Sequence, residues 1–143
     1  MIDINYSLRI AYKNALSGIA GVPVFYQAVP PSISPRNYIV YRGINSSDAS
    51  TFNSSDTSTN VTVEIHTWDD QQNNGVNADL VAREVFNRIY PNPQFNLDID
   101  GAQIVNTKLV NDVTQDFATS ANRNYISRFL TFKHNIFQRS DIS

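Results

Sequence analysis

The chain has no cysteine, which excludes disulfide bridges, thiolate nucleophiles and cysteine metal sites. Its five glycines in 143 residues leave little material for a phosphate cradle. No phosphate-binding loop, no Gly-x-Gly-x-x-Gly and no nucleophile elbow occurs. No apolar run approaches the ~20 residues of a membrane span, and no basic start leads into a hydrophobic segment. The expectation is a soluble protein made in a cytoplasm, with no membrane partner. Charge of one sign is missing from two stretches. Between Arg42 and Arg83 there is no Lys or Arg, only the six acids Asp48, Asp56, Glu64, Asp69, Asp70 and Asp79. Between Asp116 and Asp141 there is no acid, but Arg123, Arg128, Lys133 and Arg139 are present. This separation predicts either two solvated faces or complementary surfaces on identical subunits that meet head to tail in a ring.

What is present describes a folded domain. An apolar fraction of 41% with 11% aromatics supports a hydrophobic core, and the length fits one domain, residues 1–143. A net charge of −2 gives no global case for nucleic-acid binding, which shows a basic surplus. The strongest local signal is a tract from Asn45 to Asn60, in which all but Ala49 and Phe52 are Ser, Thr, Asn or Asp. Such a tract cannot bury enough apolar surface to offset its ordering entropy, so it reads as a mobile loop over 45–60. Set between two apolar strands, it suggests a part that becomes ordered against a neighbouring subunit.

The remaining elements follow from periodicity. Ile4, Leu8, Ala11 and Ala15, with Tyr12 beside them, predict a first helix over 4–17, with Asp3 as N-cap and Gly18 as its stop. A short strand is expected from Pro23 to Ala28, and a strand buried on both faces from Tyr38 to Ile44. Val61, Val63 and Ile65 alternate with Thr62, Glu64, His66 and Trp68, one face toward a core. A loop over Asp69–Gly75 precedes a helix over 77–90 with the stripe Ala78, Val81, Ala82, Val85 and Ile89. Leu80 stands on its opposite side, an exposed residue or a partner contact. Then come a strand from Phe95 to Ile99, a turn at Asp100-Gly101, an extended segment over 102–117, a turn over 118–124 and a final strand, Tyr125–Phe137. In that last strand Ile126, Leu130, Phe132 and Ile136 face the core. Short connections favour an α+β fold, a mostly antiparallel sheet with both helices packed on one face.

Candidate chemistry is sparse. His66 and His134 both fall on predicted strands. If those strands pair, the imidazoles could approach each other, with Glu64 or Asp69 completing a metal site; the plainer reading is two half-buried sheet positions. Asp69-Asp70 could bind a divalent cation, but equally solvates a loop. Asp98 and Asp100 fit a hairpin turn. Arg123, Tyr125, Arg128, Phe129 and Lys133 could form a nucleic-acid platform, though a core strand with a charged outer face explains them as well. The residues therefore support no catalytic, metal or cofactor assignment, and the expectation is a protein that is not an enzyme.

Several phrases together carry a resemblance. They are the first helix with Leu8 and Ala15-Leu16, Val22-Pro-Val24 before a proline loop, and Asn37-Tyr-Ile-Val-Tyr41. The strand ending in Trp68-Asp69, the helix with Ala78 and Val81-Ala82, and the strand-rich end complete them. In order and texture, over nearly the whole chain, this resembles the tail terminator (head–tail joining, tail-completion) proteins of long-tailed bacteriophages. The resemblance implies a structural virion protein, assembled in the host cytoplasm and located at the tail neck. It implies a homo-oligomeric ring, typically of six copies, which caps the tail tube and joins it to the head connector. DNA would pass through the channel without specific binding. Contacts to a neighbouring subunit or partner are expected from Asp48, Phe52, Asp56, Asp69, Asp70, Leu80, Arg123, Arg128, Lys133 and Arg139. Other readings are a different ring of the phage neck, a small cellular α+β binding domain and, last, a metal-dependent hydrolase.

Overall fold

The computed structural model describes residues 4–19, 21–32, 37–48, 56–68, 76–89, 102–118 and 124–138. Helix α1 spans Ile4–Leu16 and helix α2 spans Val76–Ile89. The strands are β1 (Val24–Tyr26), β2 (Asn37–Asp48), β3 (Asp56–Trp68), β4 (Ala102–Ala118) and β5 (Asn124–Gln138). They form one sheet in the order β1-β2-β3-β5-β4. The β1–β2 pair is parallel and the other three pairs are antiparallel. Among the described residues no helix is long and apolar enough to cross a membrane.

Both helices lie against one face of the sheet, as the α+β expectation required. From α1, Leu8, Tyr12 and Leu16 are fully buried; from α2, Ala82, Val85 and Ile89 are. They close over Ile39 and Tyr41 of β2, Val61, Val63 and Ile65 of β3, and Leu130, Phe132 and Ile136 of β5. Full burial of each large apolar side chain contributes about 1.5–3 kcal/mol. Aromatic rings tie the layers together. Tyr12 stacks on Tyr41 at 6.0 Å between centroids, and Phe86 of α2 meets Phe132 edge-on at 6.1 Å. Gly18 ends α1 with φ +80, the left-handed conformation glycine adopts at a helix stop. Arg88 of α2 then caps the freed carbonyls of Ala15 (3.1 Å) and Ser17 (2.6 Å), which pins the end of α1 to α2.

The polar tract departs from expectation. β2 continues to Asp48 and β3 begins at Asp56, with Asn45 to Asp48 paired against Asn60 to Thr57. Only 49–55, with Phe52, lies outside the described residues. A one-residue bulge between Arg42 and Asn45, with Gly43 at φ +70, carries β2 across the change from apolar to polar sequence. The extension holds because its strands have neighbours on the ladder: β3 pairs with β5 along its whole length, from Asp56↔Phe137 to Trp68↔Tyr125. Thr59 is fully buried. Side-chain polarity had concealed strands whose backbone bonds are made regardless. The expected N-cap Asp3, the loop 69–75, the strand 95–99 and the Asp100-Gly101 turn lie outside the described residues.

Candidate functional site

One acid and one base that sequence separates into an acidic and a basic stretch, Asp79 and Arg128, are brought together by the fold. β5 sets Arg128 opposite Ile65 of β3 and Thr114 of β4, beside the start of α2. Its guanidinium donates two bonds to Asp112, at 3.0 and 2.7 Å, and a third to Asp79 at 3.0 Å. It also sits 5.7 Å above the Phe86 ring. The bonds to Asp112 raise the Arg128 pKa, burial works against them, and Asp112 and Asp79 add their charges. Arg128, expected at a subunit contact, thus clamps α2 to the sheet within its own chain. Two parallel bonds to one carboxylate are the strong, orientation-fixing form of such a pair. Glu84 and Arg88 form a further pair along α2, at 3.2 Å.

On the sheet face away from the helices, a polar chain runs across three strands. Arg42 of β2 pairs with Glu64 of β3, Glu64 Oε1 lies 3.2 Å from His66 Nε2, and His66 Nδ1 lies 2.6 Å from Ser127 Oγ. A carboxylate only accepts, so in the neutral ring Nε2 donates to Glu64 and Nδ1 accepts from Ser127. Tyr38 stacks on the His66 ring at 4.6 Å, and Phe129 meets it edge-on at 6.1 Å. Glu64 is 3% exposed, not the solvated residue that alternation implied. Burial pushes its carboxyl up. Hydrogen bonds from His66 and Arg42, with the charge of Arg42, outweigh that and hold it below its ordinary range. Serine, histidine and glutamate in series resemble a hydrolase triad in residue type. Ser127, however, is fully buried on an unbroken strand, so no substrate carbonyl reaches its Oγ in this structure, and a nucleophile must be reached to act. The arrangement is a structural polar ladder.

The two histidines do not meet. His66 stands opposite Ser127, while His134 stands opposite Thr59. They are therefore seven residues apart along the paired strands, roughly 23 Å at ~3.3 Å per residue, and on opposite faces. The conditional metal reading loses its basis, and among the described residues no group of three or more metal-ligating side chains converges. His134 also lies in the core rather than half-buried. Its Nε2 bonds the Tyr12 hydroxyl and its Nδ1 lies 2.8 Å from Thr107 Oγ1. Burial lowers its pKa from 6.5 to about 4 and raises that of Tyr12.

The other expected contact residues distribute as follows. Leu80 is exposed on α2, at 51%. Lys133 is exposed on the sheet face away from the helices, directly opposite Lys108 of β4, a like-charge pair that opposes sheet formation. The backbone brings Asp48 and Asp56 to the same end of the β2–β3 hairpin. Phe52, Asp69, Asp70, Arg123 and Arg139 lie outside the described residues. Sequence reasoning missed Lys108, Val110 and Val113, three of the exposed residues of β4. Their signal was present as a run of mixed polarity without alternation between 108 and 115.

The class these features define is an α+β domain with two helices on one face of a five-stranded, mostly antiparallel sheet. A solved chain from the virion of the native gene transfer agent (GTA) particle shares that fold. The superposition has a TM-score of 0.71 and covers 96% of this chain and 99% of that one, at 17% sequence identity. At that identity the likeness establishes a common fold. No protein-family model matches the sequence, and no curated protein does.

Proposed function

We propose that this chain is a structural subunit of a phage-like virion, a tail terminator or closely related neck-ring protein rather than an enzyme. The observation that carries the reading is the end-to-end fold likeness to a virion chain, 96% of one and 99% of the other. A fold by itself hosts many functions. Here it coincides with the order of sequence phrases that independently resembles tail terminators, and with a ladder of Ser, His and Glu closed to substrate. In this role several copies form a ring at the head-proximal end of the tail tube, stop its growth and present a face to the head connector. No cofactor takes part.

Leu80 and the paired Lys108 and Lys133 are the contact candidates. An exposed apolar side chain gains by burial against a partner. Two facing ammonium groups gain from a partner's carboxylate, which relieves their repulsion. Asp48 and Asp56 belong at the channel, where carboxylates repel phosphate and let DNA slide without adhering. That placement fails if the assembled ring puts both on its outer rim.

The test is the mass of the purified protein by light scattering over a concentration series, followed by its addition to polymerising tail-tube protein of the same particle. Six copies of a 16.1 kDa chain give about 97 kDa. A ring of that order, and tubes that stop growing with a density at one end, are the expected results. Tubes that lengthen unaffected in its presence would refute the terminator role.

A further inference from the structure

Among the described residues the sheet has an open edge on both sides. On one side it ends at β4, a strand of 17 residues whose outer edge no described segment pairs. Edge strands of that length are unusual, since an unpaired row of N–H and C=O groups invites another strand. Its side chains from 108 to 115 are exposed apart from the half-buried Leu109. On the other side, β1 covers β2 only at Ile39, Val40 and Tyr41, although β2 runs on to Asp48. Residues 42–48 of β2 have no described neighbour on that side.

The open stretch of β2 has a local cause. Gln27 is the one non-glycine residue with positive φ among the described residues, at 69°. Its N–H still donates to Tyr41 O at 3.0 Å, and the Ala28 N–H then turns back to Tyr26 O at 2.9 Å. The chain thereby leaves the sheet after three residues of β1. A glutamine in the left-handed region is strained. Strain that ends one strand while its neighbour continues keeps that neighbour's edge clear, and strain of this kind clusters where a protein acts on something else.

The bulges specify what fits. β2 is bulged between Arg42 and Asn45, and β4 between Ile104 and Asn106 and again between Leu109 and Asn111. The β3–β5 ladder between them is unbroken. Bulges on outer strands increase twist and bar flat, indiscriminate partners. They admit a strand from a sheet of matching curvature, and another copy of this chain has one. Direction agrees as well. β2, β3, β5 and β4 alternate, so β2 of a second copy in the same orientation, set beside β4, continues the antiparallel order.

We propose that residues 42–48 of one copy add to the outer edge of β4 in the next, a head-to-tail contact between two different edges. Such a contact repeats until it closes. It rests on the ring-subunit reading above and names the surfaces that build the ring.

The cysteine-free chain makes the test direct. Asn45→Cys is combined in turn with Lys108→Cys, Val110→Cys and Val113→Cys, each single variant is made as control, and circular dichroism verifies the fold. After mild oxidation at a concentration where light scattering detects oligomer, at least one double variant runs on a denaturing gel as a ladder ending in a closed product. The single variants stay monomeric. Dimers from Val110→Cys alone overturn the proposal in favour of a two-fold contact between β4 edges. An oligomer in solution with no double variant linked overturns the edge contact and leaves the ring reading standing. A chain that stays monomeric and unlinked at every concentration overturns the edge contact, and the terminator role is then decided by the tube-growth test above.

Discussion

Titrating His134 should loosen the fold as pH drops from 6.5 towards about 4. The ring is fully buried, held between the Tyr12 hydroxyl of α1 and the Thr107 hydroxyl of β4, and placed opposite Thr59 of β3. Burial lowers its pKa from 6.5 to about 4. Between those two values the unfolded chain holds a proton that the folded chain does not, so stability falls as pH drops through the interval. The contribution is complete above pH 6.5 and lost as pH approaches 4. At about 1.4 kcal/mol per pH unit, the whole interval amounts to about 3.5 kcal/mol, of which about 2.5 kcal/mol falls between pH 7 and 4.5. Glu64 does not interfere there. Its carboxyl is held below its ordinary value of 4.5, so its stabilising contribution is complete above that value and is lost as pH falls from there through the lowered one. The assay is urea unfolding at a fixed, low protein concentration at pH 7, 6, 5 and 4.5, on the native chain and on His134→Gln. At pH 7 the variant should be weaker by about 1–3 kcal/mol, from hydrogen bonds lost or distorted at a buried site. Between pH 6.5 and 4.5 its stability should stay nearly flat while that of the native chain falls. Parallel curves would refute the assignment of the lost stability to this ring.

Three further outcomes follow from the geometry. Gly43→Ala should destabilise by about 1 kcal/mol in urea unfolding. The added methyl has room, with Thr62 Oγ1 the nearest atom at 3.9 Å, but φ +70 strains any residue with a Cβ. Arg88→Met should cost about 1.5–3 kcal/mol, the range for hydrogen bonds from a charged donor. Because Arg88 caps Ala15 and Ser17, amide hydrogen exchange should rise first in the last turn of α1. Lys133→Glu converts the facing pair with Lys108 from repulsive to attractive and should stabilise the isolated chain by about 0.5 kcal/mol, while weakening any contact made through an acidic partner surface.

The parts legible in the sequence are those fixed by near neighbours in the chain. The stripe of α2, from Ala78 to Ile89, is a 3.6-residue pattern, and its bounds came within a residue of Val76–Ile89. The glycine stop at Gly18 and the alternation of Val61, Val63 and Ile65 are local in the same sense. What was missed depends on residues far away. The strands on either side of 49–55 carry polar side chains on both faces, so no alternation marks them; they are strands because β5 lies alongside, more than seventy residues on. Glu64 reads as solvated until Arg42 and His66 come within reach. His134 gives no sign in sequence that Tyr12, 122 positions earlier, completes its hydrogen bonding. The division of charge into two blocks holds along the chain, but one acid and one base from them, Asp79 and Arg128, become neighbours once β5 enters the sheet.

The place of β5 between β3 and β4 has a consequence for how the protein comes into being. β5 follows every other described element, yet it is the strand to which β3 and β4 both pair. Until it emerges from the ribosome, β4 has no partner among the described strands and β3 has only one. Nothing resembling the finished sheet can accumulate on a nascent chain, because its middle is translated after its sides. Closing contacts so distant along the chain is also slow. Folding therefore waits for β5 to be translated rather than proceeding strand by strand. A copy cut short before Asn124 leaves β4 without its described partner and β3 paired on one side alone, and cannot enter an assembly as a near-native subunit.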